Sequence, residues 1–282
     1  MIRKARVAGT FYQGTRNELQ RQIEDCYTHR LGPGSVPELS QIREGNILGI
    51  ISPHAGYMYS GPIAAWSFRE LVQSQIPDTV VILGPNHRGF GSPIALMGEG
   101  EWETPLGRIS INEELSSKLI RDSTGLVELN TEAHEWEHSL EVQLPFLQYS
   151  YGNNFRIVPI CMMDQSESVS SRLGEILYSL IEGENIVVIA SSDLTHYQPH
   201  QVAEKEDKLI LKAILSLDYR ELGKIIHRGN FSMCGPGPVM TLMSVVTHLG
   251  AKKIKLLQYA TSGDITGDYQ AVVGYASLLI EK

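Results

Sequence analysis

Three histidines in this chain each stand just past an apolar run. His54 lies in "IISPHAGYMYSG" (50–61), His87 in "VVILGPNHRG" (80–89), and His196 ends "SSDLTH" (191–196), which follows "NIVVIA". A neutral imidazole offers a nitrogen lone pair near neutral pH, which makes histidine the commonest metal ligand. Any one of them alone reads more simply as a turn histidine bonded to backbone. Three delivered to comparable places point to a shared site, with a metal between His54 and His87. Asp193 precedes His196 by three residues, near enough to orient its imidazole, and a histidine held in that way can shuttle a proton. The plainer alternative is an Asx-turn at Asp193 with His196 on the surface.

Cys234, in "SMCGPGPVMTL" (232–242), is the other reactive candidate. A thiol at a helix N-terminus has a lowered pKa, and the thiolate is the metal-binding form. A packed thiol is the equal alternative for Cys234, and it is the better reading for Cys26 and Cys161, which sit within regular apolar patterns.

The elements that must position these residues follow from periodicity. "NILGIIS" (46–52), "TVVILGP" (79–85), "FRIVPICM" (155–162) and "NIVVIASSDL" (185–194) read as buried strands; "KIKLLQYA" (253–260) and "AVVGYASLLI" (271–280) close the chain as two more. Helical spacing is expected over 61–74, through "SSRLGEILYSLIEG" (170–183), around 202–216 and 218–227, and over 238–249. Apolar strands alternating with helices predict an α/β fold, a mostly parallel sheet covered on both faces. In such sheets ligands sit beyond the carboxyl ends of the strands, where His54, His87 and His196 fall. "LGPGSVPELS" (31–40) reads as a surface loop. No linker splits the chain, so residues 1–282 are read as one domain.

"HEWEH", His134 to His138, satisfies the pattern of the zinc peptidases, with Glu135 as base. The third ligand is missing. Glu141 and Leu144 occupy the metzincin glycine and histidine positions, no histidine follows before His196, and 142–166 contains no glutamate. The preferred reading is a helix beginning near His138, with His138 and Glu141 on one face supporting the pocket.

The chain has a formal net charge of −8 and a pI of about 5.6, which argues against nucleic acid or an anionic membrane as partner. There is no apolar run long enough to span a bilayer and no apolar signal core in "MIRKARVAGTFYQG" (1–14). Three widely spaced cysteines make no disulfide framework. A cytoplasmic, reducing location is expected.

Taken in order, "VAGTFY" (7–12), "SPHAGYMYSG", "LGPNHRG", "EHSLEVQLPF" (137–146), "SSDLTHY" and "MCGPGP" resemble the Memo family over nearly the whole chain. That resemblance implies a three-layer α/β/α fold around a mixed sheet, similar to the class III extradiol dioxygenases. It implies His54, His87 and Cys234 as metal ligands and His196, with Asp193 beside it, as the acid–base histidine. Phe11 and Tyr12 would fall near the pocket mouth. A thiolate in place of the dioxygenase carboxylate favours copper, zinc or redox-shifted iron over a hard Fe(II) site. The implied protein is a mononuclear centre, Fe(II) or copper with Zn as the alternative, in a dioxygenase-like oxidoreductase acting on a small molecule or peptide. The rival implication is a non-catalytic module binding a peptide or protein in the same pocket. Family association further implies a radical SAM protein and a small Alport-related protein as partners.

Overall fold

The computed structural model describes residues 1–42, 45–229 and 231–282. In chain order its strands are β1 (Ile2–Arg3), β2 (Ile47–Ser52), β3 (Thr79–Pro85), β4 (Ile94–Leu96), β5 (Glu101–Thr104), β6 (Gly107–Ile111), β7 (Glu128–Leu129), β8 (Arg156–Met162), β9 (Ile186–Ser191), β10 (His196–Gln198), β11 (Lys253–Thr261) and β12 (Val272–Glu281). The helices are α1 (Arg16–Thr28), α2 (Tyr57–Ser74), α3 (Glu113–Asp122), α4 (Glu132–Glu135), α5 (Leu144–Tyr151), α6 (Glu167–Ile181), α7 (His200–Leu215), α8 (Tyr219–Arg228), α9 (Pro236–His248) and α10 (Ser262–Thr266).

The strands form one mixed sheet in the order β1-β5-β6-β8-β3-β9-β2-β12-β10, with β11 on β12 and β4 against the end of β8. Its centre, β6-β8-β3-β9-β2, is parallel, and β12 closes one side antiparallel to β2. Alternation along β3 shows why both faces must be covered. Val80 and Ile82 enter the apolar layer shared with α1, α2 and α5, while Val81 and Leu83 enter the layer shared with α3, α6, α7, α8 and α9. Period-two side chains that are apolar on both sides leave no face for water, and the result is the expected α/β/α arrangement. No helix among the described residues is long and apolar enough to cross a membrane.

The strands expected at 46–52, 79–85 and 155–162 appear within a residue of those bounds, but β9 stops at Ser191. The residues Ser192–Thr195 leave the sheet to build the site loop. The second helix starts at Tyr57 rather than 61, since Gly56 caps it and Pro62 is carried inside it. Helix α1, the β5–β6 hairpin and α3 were not expected. No helix begins at His138. Residues 136–140 are irregular, a 3-10 turn covers Glu141–Gln143, and α5 starts with Pro145 in its first turn. The Glu137 carboxylate accepts the Ser139 N–H, a local bond that competes with helix formation.

This irregular segment is held from the N-terminus. The Arg3 guanidinium stacks 4.1 Å over Trp102, donates to the carbonyls of His134 and Glu137 at 2.7 Å each, and pairs with the Glu141 carboxylate. Glu141, fully buried, also accepts the N–H groups of Arg6 and Val7 and the hydroxyl of Tyr12 at 2.5 Å. Tyr12 is therefore an anchor 2% exposed, not a residue of the pocket mouth. Arg3→Ala strands a buried carboxylate without its cation and is expected to lower stability by about 3–5 kcal/mol, read by urea unfolding against wild type.

Candidate metal centre

Parallel strands expose their carboxyl ends on one edge of a sheet, and adjacent β3, β9 and β2 deliver three site segments there. His54 is two residues past Ser52 at the end of β2, His87 two past Pro85 at the end of β3, and Asp193 two past Ser191 at the end of β9. Gly84 lets the 139–140 turn lie directly on β3. A Cβ there would meet Ser139 Oγ at 2.5 Å and the Leu140 side chain at 2.9 Å. That close approach brings His138 over the strand ends.

The rings of His54, His87 and His138 meet pairwise, with centroids 5.1 Å apart for His54–His87, 5.4 Å for His54–His138 and 4.6 Å for His87–His138. Each offers one nitrogen, and these three atoms all lie within 4.8 Å of one another, so the group could hold a metal ion. Cys234 Sγ lies 3.1 Å from His54 Nε2 but does not join the group within that limit.

Hydrogen bonding behind the rings assigns their protons. Ser191 Oγ spends its single proton on the Ser139 carbonyl at 2.7 Å and accepts from the Gln143 amide at 2.8 Å. It can then only accept from His54 Nδ1, 2.8 Å away, which leaves the His54 Nε2 lone pair facing Cys234. Glu137 Oε1 lies 2.8 Å from His87 Nδ1, and Oε2 accepts the His87 backbone N–H at 2.7 Å. An ionised carboxylate can only accept, so Nδ1 carries the proton and His87 Nε2 is the free lone pair. His138 Nδ1 is buried without a hydrogen bond, 3.4 Å from Glu137 Oε1. Three rings that each offer a nitrogen within 4.8 Å of the others, two of them with the lone pair oriented, suit a cation, so the residues present fit a metal ion.

Electrostatics agree. Burial, then the neighbouring His87, holds His54 well below the usual histidine range. Burial, then His54, takes His138 down to about 3. Both rings are thus neutral. Burial opposes charge on Glu137, but the His87 hydrogen bond and the adjacent imidazoles outweigh it and keep the carboxyl well below its ordinary value. Cys234 lies just before α9, as expected, yet burial and then the Asp193 charge push its thiol up, not down. A nearby helix start does not offset the loss of water.

The remaining expected residues divide. Asp193 accepts the His54 backbone N–H at 2.8 Å, and its own N–H points to Cys234 Sγ at 3.1 Å; it does not bond the His196 ring. His196 Nδ1 lies 2.8 Å from both the Leu194 and Ser232 carbonyls, which fixes the proton there and frees Nε2. His196 is near enough for its charge to act on both His54 and Asp193. The turn that holds it is tight, with Tyr197 at φ +57° and a bulge in the β10–β12 pairing. Phe11 packs on His138 at 4.6 Å between centroids. Glu141 is turned away toward Arg3 and Tyr12. His134 lies apart from His138, its two nitrogens 3.1 Å from the Asn130 and Pro159 carbonyls, so the pair required of a zinc peptidase does not form. Sequence reading passed over Glu137, Ser191 and Gln143. Glu137, between two histidines in "HEWEH", carried the clearest available signal.

Comparison with known proteins agrees with this architecture. The model for the family described as Memo, Memo-like protein, matches residues 3–279. The chain belongs to the Memo family. It is 49% identical over 280 residues to a "MEMO1 family protein" of Ignicoccus hospitalis, covering 99% of this chain and 98% of that one. It is 45% identical over 284 residues to a relative of that name from Methanopyrus kandleri, covering all of both chains. Among solved structures, an uncharacterized protein of Escherichia coli K12 superimposes with a TM-score of 0.53 at 14% identity, over 82% of this chain and 99% of the other, a likeness of fold.

The buried neutral histidines set a pH dependence. Burial lowers His134 to about 4 and His138 to about 3, below the unfolded value of about 6.5. As pH falls below about 6.5 the unfolded chain takes up these protons first. Stability is complete above that value and is lost below it, by about 1.4 kcal/mol per pH unit for each histidine. Urea midpoints of the metal-free protein at about pH 7 and about pH 5 should differ accordingly, and His134→Gln should flatten the slope.

Proposed function

We propose that this Memo-family chain holds one redox-active metal ion, Fe(II) or copper, bound through His54 and His87 with Cys234 as third ligand and His138 closing the remaining side. The observation that carries the reading is the convergence of three imidazole nitrogens within 4.8 Å of one another, with a thiol 3.1 Å from His54 Nε2. Borderline nitrogen donors beside a soft sulfur suit copper, zinc and thiolate-shifted iron better than a hard cation. When bound, such an ion would supply Lewis acidity and one-electron chemistry. The protein's own part is protonic and geometric. Ser191 and Glu137 keep His54 and His87 in the ligating tautomer. His196, anchored at Nδ1, offers Nε2 to accept or return a proton, and Phe11 helps to shield His138 from water.

A second reading, a pocket that binds a peptide or partner protein without turnover, draws on exposed aromatics. Tyr59, Phe90, Trp136 and Tyr197 are 37%, 56%, 50% and 76% exposed, each within five residues of a site histidine. Metal analysis of anaerobically purified protein separates the two. His54→Ala and His87→Ala should fall below about a tenth of wild-type occupancy, since even outer partners of metal ligands are worth about ten- to a hundredfold in affinity. Equal metal content in all three proteins would overturn the metal reading. His138→Ala and Cys234→Ala, compared by the sulfur-to-metal charge-transfer band of the Co(II) form, identify the third ligand: loss of the band in Cys234→Ala alone assigns it to sulfur.

A further inference from the structure

Glu137 is, among the described residues, the one fully buried carboxylate in contact with the rings, and ordinary ion pairing does not account for it. Among the described residues the ring nitrogens nearest its oxygens are those of His87 and His138, while the nearby Arg3 guanidinium takes the Glu137 backbone carbonyl and gives its charge to Glu141. Its oxygens receive three directed donors: the His87 N–H, His87 Nδ1–H and the Ser139 N–H. Backbone N–H donors on both oxygens, with the ring nitrogen of His87 2.8 Å from Oε1, favour the ionised form, and among the described residues no arginine or lysine side chain pairs with that buried charge. A two-point grip on one residue, through backbone and ring together, also leaves His87 neither rotation nor tautomer exchange.

We infer that Glu137 is the positioning residue of the centre, fixing His87 as the Nδ1–H tautomer and supplying the negative charge that a bound cation would balance. The inference rests on the metal reading above for its second half only. Glutamine cannot reproduce the grip. Its single oxygen must choose between the backbone and ring sides, and its NH2 group then faces a donor.

The test has two arms on the full-length protein. In metal-free protein, 15N spectra of the histidine rings, with His87 assigned by its loss in His87→Gln, should show a single Nδ1–H tautomer in wild type and a mixture in Glu137→Gln. In parallel, Co(II) alone is titrated against a competing chelator. Affinity is expected to fall about ten- to a hundredfold in Glu137→Gln and to recover in part in Glu137→Asp, which keeps the charge on a shorter arm. Should Glu137→Gln not fold, Glu137→Asp against wild type carries both comparisons, with a smaller loss expected. An unchanged His87 tautomer together with Co(II) affinity within about twofold of wild type overturns the inference. Wild-type protein that takes up no Co(II) overturns the metal reading instead, and the tautomer arm then decides the role of Glu137 alone.

Discussion

A carboxylate shut away from water must be surrounded by donors, and this constraint shapes the irregular segment between α4 and α5. Glu137 and Glu141 are both fully buried and four residues apart, in a stretch that forms no α-helix. One draws in the end of β3 through His87; the other draws in the N-terminal strand through Arg3, Arg6, Val7 and Tyr12. Removing the donors of either would leave several kcal/mol of unsatisfied burial, so the two ends of the fold are tied to one turn. The position of His138, between the two carboxylates, is a by-product of satisfying both.

What results is a cluster prepared for positive charge before any arrives. The rings of His54 and His138 are neutral, the lone pairs of His54 and His87 are oriented by Ser191 and Glu137, and the carboxyl groups of Asp193 and Glu137 accept the backbone N–H groups of His54 and His87. The thiol of Cys234 is raised by the same burial that lowers the histidines. A cation entering the cluster would reverse that balance, since a coordinating sulfur gives up its proton to the ion. His196 is anchored by two carbonyls rather than by Asp193.

Much of this was legible in the residues. Apolar strands ending in Pro53-His54 and Pro85-Asn86-His87 announced themselves by period and by the turn chemistry that follows, and so did the sheet that aligns them. Cys26 and Cys161 are packed thiols, as their patterns indicated. What was hidden depended on contacts remote in sequence. The place of His138 is set by Gly84 and Arg3, more than fifty residues and more than a hundred residues away, and no local period encodes either contact. Helix α1 buries Leu19, Ile23, Cys26 and Tyr27 at helical spacing, a signal present but diluted by its polar neighbours. Asp193 and His196, three residues apart in "SSDLTH", looked like partners, yet the loop sends the carboxylate to His54 and the ring to carbonyls.

Gly84 carries a consequence for how such a chain can drift. A methyl group at Gly84 has no room against Ser139 and Leu140, while Tyr59, Phe90, Trp136 and Tyr197, each within five residues of a site histidine, are open to solvent. Substitutions can therefore accumulate at these exposed positions and alter what meets the site, while the interior histidines keep their mutual distances. The same scaffold could serve different molecules in different lineages with its inner geometry unchanged.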